Sequence, residues 1–182
     1  MTLFSSSSNP DPSYCKATLL TSSLRGRLYS IRLALTKLPT PMIKYDNLPN
    51  PVGELLRSAS LATTATIPVS KSTSLIFTTG HVGLDLRTGK LVNDTIEHEF
   101  EAIFKCLDAA LRHAGAKDGL RQAYKFTSYL TSVEHEKPMY QEFKKICSGH
   151  TPTWCLVMVE RINIEGMSAE ITAEGAMFHE DI

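Results

Sequence analysis

The sequence has no excess of charge of either sign and no grouping of metal-binding side chains. Lysine plus arginine and aspartate plus glutamate number 19 each, so the net charge is zero. Because affinity for nucleic acid comes mainly from neutralised phosphates, this balance argues against a nucleic-acid-binding protein. The four cysteines are scattered and include no Cys-x-x-Cys pair, which is unlike a zinc site or a disulfide framework. We therefore expect no metal and a reducing compartment.

Long apolar runs are also missing. No stretch approaches the roughly 20 apolar residues that a membrane-spanning helix needs, so we expect no membrane association. With 182 residues, of which 42% are hydrophobic, the chain can bury one core but hardly two. The composition predicts a cytoplasmic, soluble protein with one globular domain.

The first 41 residues differ in composition from the rest. They are rich in serine, and Asp11 is their only acidic residue. Apolar residues recur at helical spacing, with Arg25 and Arg32 off that face. This is typical of a mitochondrial transit peptide, which would lead to the mitochondrial matrix, but a disordered extension or a start codon placed too far upstream would look similar. We predict that residues 1–41 are a targeting or disordered extension and that residues 42–182 form the domain.

The remaining sequence alternates between strand and helix patterns. Strands are predicted at Ala59–Val69 (as an edge strand), Ser74–Thr79 and Gln122–Leu130, the last with Tyr124 and Phe126 on one face. One helix is predicted from an N-cap at Asp94 to Gly115, because apolar residues recur at helical spacing between them. A second helix is predicted from Lys137 to Gly149.

Two further strands are predicted near the end of the chain. Pro152–Val159 is almost continuously apolar, which is typical of a strand buried on both faces. Ala169–Glu174 alternates strictly, which predicts a half-buried strand with Glu170 on its polar face. Turn residues separate the two segments, so we predict that they pair and bring Glu170 close to Trp154, the only tryptophan.

The predicted order of elements is β-β-α-β-α-β-β. Strands with two interspersed helices predict an α+β fold, in which one mixed sheet carries both helices on one face. The second face of that sheet also needs cover, and self-association is the simplest way to supply it.

This order, with particular residues along it, resembles the RidA/YjgF reactive intermediate deaminase family, also called L-PSP. The similar segments are Ile76–Gly80, Thr88–Gly89, Ala109–Leu111, Ala114–Gly115, Lys125–Thr127, Tyr129–Leu130, Tyr140, Pro152 and Ala169–Ile171. The resemblance implies a chorismate-mutase-like fold and a homotrimer with three clefts at its subunit interfaces. It also implies hydrolysis of imines and enamines without a metal or organic cofactor.

The sequence departs from the family at the residues that would bind a substrate carboxylate. The family has an arginine two residues after the proline, where this chain has Trp154, and the family's tyrosine and asparagine have no clear counterparts. Glu170 and Gly80 are retained, and Thr79 replaces a serine. A guanidinium pairs with a carboxylate through two hydrogen bonds, whereas an indole offers an apolar face and one N–H donor. We therefore expect a divergent Pro-Thr-Trp branch whose cleft takes a neutral, apolar ligand.

Three functions follow as hypotheses. In the first, Glu170 is the catalytic acid and base of an imine, enamine or enol hydrolase or isomerase, and Thr79, Gly80, His81 and Trp154 bind the small-molecule substrate. The second is a non-catalytic trimer that binds a small molecule or a partner. The third, ribonuclease activity, is disfavoured by the neutral charge. Each residue also has a structural alternative: Glu170 on the solvated surface, Trp154 in the core or an interface, and His81 hydrogen-bonded in a loop.

Overall fold

The computed structural model describes residues 42–179, so the extension predicted for residues 1–41 lies outside the described part of the chain. The strands are β1 (Lys44–Asp46), β2 (Thr64–Pro68), β3 (Thr73–Thr78), β4 (Ala123–Leu130), β5 (Thr153–Met158) and β6 (Ala169–Phe178). The helices are α1 (Pro51–Ser58), α2 (Ile96–His113) and α3 (Glu136–Ile146). The predicted α+β fold with a single mixed sheet is confirmed, with one additional strand and one additional helix at its start.

The six strands form one sheet in the order β1-β2-β3-β6-β4-β5. Neighbouring strands are antiparallel except β4 and β5, which are parallel. A parallel pair needs a crossover connection, and α3 supplies it between β4 and β5. The last strand, β6, then enters the sheet between β3 and β4.

This strand order corrects two predictions about the end of the chain. β5 and β6 do not pair, because β4 lies between them. β5 is not buried on both faces either: it is the edge strand, and Cys155 and Val157 are exposed on its outward face. An apolar, β-branched sequence identifies a strand, but it does not show which neighbours that strand acquires.

The other edge of the sheet was also predicted incorrectly. β2 is an inner strand, because β1 pairs with it through Lys44↔Thr66 and Asp46↔Thr64. Neither β1 nor α1 was predicted, since three residues of strand and eight of helix are too short for a clear periodic pattern. The start of α1 is nevertheless capped, because the Asn50 side chain accepts a hydrogen bond from the Gly53 amide at 3.1 Å.

Two local details of the predicted elements change. The N-cap of α2 is Thr95, which accepts from the His98 amide, whereas Asp94 bonds the His98 ring at 2.8 Å. In β4 a register shift between Ala123 and Lys125 turns Tyr124 outward, away from the buried face of Phe126. A β-bulge of this kind reverses the alternation of side chains.

The core lies between the sheet and the helices. Phe100, Ile103, Phe104, Leu107 and Leu111 of α2 pack against the inward side chains Ile76, Phe126, Leu130 and Ile171 of the sheet. Burying each of these side chains is worth about 1.5–3 kcal/mol. A smaller cluster at one end of the sheet contains Val52 of α1 with Val82, Leu84, Cys106, Ile162 and Met167. This second cluster fixes α1 to the domain.

Candidate functional site

The end of β3 contains an irregularity that exposes a backbone donor. Phe77 pairs with Glu174, and His81 pairs with Ile171, so three residues on the β3 side oppose two on β6. This is a β-bulge, which interrupts the ladder of hydrogen bonds. The Thr79 amide donates to the Thr63 carbonyl at 3.0 Å. The Gly80 amide has no hydrogen bond to any residue in the described part of the chain.

The carboxylate of Glu170 lies against Gly80. A Cβ atom at position 80 would stand 1.8 Å from Oε1 of Glu170, so only glycine leaves room for the carboxylate in this place. Glu170 is half-buried, and within residues 42–179 its side chain has neither an ion pair nor a hydrogen bond. An acid and an amide donor therefore meet here, and both are available to a ligand.

A cavity of about 340 Å³ surrounds this acid and amide. Thr79, Gly80, His81 and Glu170 line one side of it. The other walls are mostly aliphatic, with contributions from Leu55, Leu56, Leu61, Val82, Leu84 and Ile164. Among the lining residues within the range 42–179, Glu170 is the only charged one, and there is no lysine or arginine. Such a lining suits an apolar ligand that presents one polar group to Glu170 and Gly80.

His81 lines this cavity, but its ring is nearly inaccessible. Both backbone hydrogen bonds to Ile171 are formed, and antiparallel partners point to the same face, so the imidazole lies on the buried side of the sheet. Glu170 precedes Ile171 and points to the opposite face. Burial lowers the pKa of His81 to about 4, so the ring is neutral at pH 7, and its Nε2 has no partner among the described residues.

Trp154 is not brought together with the other four predicted residues. Its ring stacks on Phe126 with 4.7 Å between ring centres, and its Nε1 donates to the Ser128 hydroxyl at 2.9 Å. It also makes edge contacts with Phe104, Tyr140 and Phe143. Trp154 thus lies on the helix-bearing face of the sheet, whereas Glu170 lies on the other face. Trp154 is not among the residues that line either of the two cavities beside Glu170.

A second cavity, of about 370 Å³, lies on the other side of Glu170. It is more polar, with Tyr129 and Thr172 from the sheet and Arg161 and Asn163 from the loop between β5 and β6. Arg161 is exposed and forms no ion pair within residues 42–179. Sequence reasoning placed only a turn in this loop and did not predict Arg161 near Glu170.

The buried carboxylate of Glu99 positions Glu170 and was also missed. It accepts hydrogen bonds from the amides of Ser168 at 2.7 Å and Ala169 at 2.9 Å, which fixes the beginning of β6. Burial raises the pKa of Glu99, and these two hydrogen bonds oppose the rise. The sequence feature that could have indicated this role is the position of Glu99 next to the apolar face of the predicted first helix.

The chemistry that the site offers is that of one carboxylate and one backbone amide. Across residues 42–179, no group of three or more His, Cys, Asp or Glu side chains is placed to hold a metal ion. No helix in that range is both long and apolar enough to cross a membrane.

Comparison with protein families identifies the fold and the segment that carries it. The model of a family described as Endoribonuclease L-PSP matches residues 59–176, more than half of the chain. The chain belongs to this family. Solved members also carry the names YjgF and RidA. The match begins after α1, so β1 and α1 of this L-PSP family member lie outside it.

Solved structures agree on the fold. A YjgF-family protein from Mycobacterium tuberculosis is 16% identical with a TM-score of 0.57, and the match covers 74% of this chain and 98% of that one. RidA from an Antarctic Psychrobacter is 22% identical with a TM-score of 0.53, covering 60% and 84%. Escherichia coli TdcF, solved with bound serine, is 19% identical with a TM-score of 0.53, covering 63% and 85%. None of the curated proteins compared with the chain matches it.

Proposed function

We propose that this L-PSP family member hydrolyses or isomerises an imine, enamine or enol of a neutral, apolar substrate, with Glu170 as general acid and base. The observation that carries the proposal is the approach of the Glu170 carboxylate to Gly80, whose amide, at the bulge, has no hydrogen-bond partner within residues 42–179. Both lie in a cavity with aliphatic walls. A proton-transfer group beside a hydrogen-bond donor, in apolar surroundings, is the minimum that imine hydrolysis requires.

The proposed hydrolysis needs only water as a second reactant. Glu170 accepts a proton from water as the water oxygen bonds to the imine carbon, and the C=N double bond becomes a single bond. The Gly80 amide donates a hydrogen bond to the new oxygen. Glu170 then returns the proton to nitrogen, which gives a neutral carbinolamine. In a second transfer Glu170 takes the hydroxyl proton and passes it to nitrogen while the C–O bond becomes double and the C–N bond breaks, so ammonia and a carbonyl compound leave. An enamine would first be protonated at carbon to give the imine.

The lining of the cavity supports a substrate without a carboxylate. An anion next to Glu170 would have no basic partner among the described residues that line that cavity, and an unpaired buried charge is costly. The residue at the family's arginine position, Trp154, already uses its one donor on Ser128. TdcF was solved with serine bound, and we propose that this chain selects against such amino acids.

We also propose that three copies assemble and that the cleft is completed between them. The outward face of the sheet carries apolar side chains that are exposed in one chain, including Tyr129 and Val157 beside Glu170. Covering them by another copy would remove apolar area from water. Assembly is also the one arrangement that could place Trp154 of one copy near Glu170 of another.

A non-catalytic trimer that binds a small molecule or a partner is the second candidate. It is favoured by the absence of any hydrogen bond that would hold Glu170 in one orientation, within the residues that the structure describes. Ribonuclease activity, to which the family description refers, is the third. The zero net charge of the chain gives RNA phosphates little attraction, which disfavours it.

The experiment compares two imines that differ only in a carboxylate. Leucine treated with an amino-acid oxidase releases the acidic imine, and 3-methylbutylamine treated with an amine oxidase releases its neutral counterpart. Semicarbazide competes for each imine, so the protein's activity appears as less semicarbazone. We expect rapid removal of the neutral imine, and a loss of at least about 100-fold in Glu170→Gln, because an amide cannot exchange the proton.

Glu174→Gln is the matched control, since Glu174 lies on the same strand and face but pairs with Lys125 at 2.5 Å. It should retain activity. Equal activity of Glu170→Gln and the wild type would refute the catalytic role. Faster removal of the acidic imine would refute the neutral substrate and indicate Arg161 as its carboxylate partner.

A further inference from the structure

Helix α1 forms a wall of the cavity although it lies outside the segment shared with the family model. That segment begins at residue 59, whereas α1 ends at Ser58. Leu55 and Leu56 of α1 line the cavity, and Leu61 follows in the next turn of the chain. Leu55 and Leu56 therefore lie outside the segment that the family model matches, whereas Leu61 lies inside it.

The first half of α1 holds this wall in place. Val52 is completely buried in the small cluster beside the sheet. Gly53 packs so closely that a Cβ there would be 2.0 Å from the Leu48 carbonyl oxygen. The Asn50 side chain caps the helix. These three contacts fix the first half of α1, so they also hold Leu55 and Leu56 in position at the cavity.

Three aliphatic side chains at the cavity contribute little to the core. Leu55 is 47% exposed, Leu61 is 48% exposed, and Ile164, in the loop between β5 and β6, is 38% exposed. Their apolar surface lies beside Glu170 and the unpaired Gly80 amide. Aliphatic walls that converge with a few polar groups are the usual composition of a small-molecule site.

We propose that Leu55, Leu61 and Ile164 are specificity-determining residues that bind the aliphatic or aromatic group of the substrate. Glu170 and Gly80 then meet its polar end. The volume of about 340 Å³ is near the lower end of ligand pockets, which fits a single short chain or one ring. The role of Glu170 in this arrangement rests on the proposed function, but the apolar subsite is a separate claim about binding.

The test measures binding of neutral primary amides, from acetamide to hexanamide, to the full chain by calorimetry. These amides resemble the imine in shape and polarity but resist hydrolysis. We expect affinity to rise about threefold to fourfold for each added methylene that is buried. Leu55→Ala and Leu61→Ala should each weaken hexanamide at least about fivefold, with acetamide changed less than about twofold.

Two further variants guard against a general effect of losing a leucine or of misfolding. Leu91→Ala removes a leucine that is 41% exposed and does not line the cavity, and it should leave the series unchanged. Ile164→Ala removes a lining side chain that comes from another part of the chain, the loop between β5 and β6, and it should repeat the effect of Leu55→Ala. Circular dichroism of each variant establishes that it is folded.

The outcomes separate this inference from the proposed function. Amides should bind Glu170→Gln with the same dependence on chain length, even though that variant loses turnover. A wild-type protein that binds longer amides more tightly but removes no imine would reject the catalytic proposal alone. If the affinity of the wild-type protein for amides does not depend on their chain length, the proposed apolar subsite is wrong. It is also wrong if Leu55→Ala causes dissociation in sedimentation without any change in amide binding, because a second copy would then cover this wall.

Discussion

Two regions of the same sheet differ in whether their polar groups have hydrogen-bond partners within residues 42–179. On the helix-bearing face, the indole of Trp154 is packed by aromatic rings and its N–H bonds Ser128 at 2.9 Å. At the end of β3, the Gly80 amide and the Glu170 carboxylate lie side by side, and neither bonds another residue in the range 42–179. The first region satisfies its polar groups and stabilises the fold. In the second region a ligand can bond the Gly80 amide and the Glu170 carboxylate. Polar groups without partners in the folded chain are found most often at functional sites.

The largest effect expected from this comparison is on stability, at Trp154. Trp154→Ala removes the ring that contacts Phe126 and Phe143, and should lower the free energy of unfolding by about 3 kcal/mol. The melting temperature should fall by roughly 10 °C. Cys155→Ser, the next residue on the exposed face, should change stability by less than about 0.5 kcal/mol. Similar effects for both would mean that the two faces of β5 do not differ as described.

A smaller effect is expected at Gly80, and it should depend on Glu170. The methyl group in Gly80→Ala collides with the carboxylate, which should cost about 1–3 kcal/mol of stability and abolish imine turnover. In a Glu170→Ala background the collision is gone, so the same change should cost at least about 1 kcal/mol less. Chemical denaturation of the four proteins measures this coupling. Additive effects would show that the carboxylate does not lie against position 80.

The dependence of stability on pH should report on Glu99, which fixes the strand that carries Glu170. Burial raises the folded pKa of Glu99 above its unfolded value, so the native state binds the proton more tightly. Its contribution to stability is therefore present at low pH and declines as pH rises through the folded pKa. Glu99→Gln keeps an oxygen for the two amides but cannot titrate. The melting temperature of Glu99→Gln relative to the wild type should increase with pH, and a constant difference between pH 4 and pH 8 would contradict this.

The smallest effect is expected from removing residues 1–41, which we propose to be a targeting or disordered extension. A chain that begins at Met42 should melt within a few degrees of the full chain, a difference of less than about 1 kcal/mol. A chain that begins at residue 59 should be much less stable, because it lacks Val52 and the rest of α1. Fluorescent fusions with and without residues 1–41 test the mitochondrial alternative. A large loss of stability on removing only residues 1–41 would contradict the proposed domain boundary.

Several elements could be predicted because their patterns are local. α2 was recognised from apolar residues at helical spacing and ends before Gly115, whose φ of +108° suits glycine. The alternation in β6 holds, with Ala169, Ile171 and Ala173 buried and Glu170 half-buried between them. The bulge at Gly80 could not be predicted, because it depends on how β3 aligns with a strand about ninety residues later.

Sequence patterns were sufficient to predict most of the strands and helices, the face of β6 that carries Glu170, and the family to which the chain belongs, but not β1 or α1. Each of these depends on side chains a few residues apart or on short shared motifs. Three features could be seen only in the folded domain: β4 separates β5 from β6, Trp154 and Glu170 point to opposite faces, and α1 lines the cavity. These outcomes depend on the packing of the whole domain, because the core brings together residues that are far apart in the chain, such as Phe104, Phe126 and Trp154.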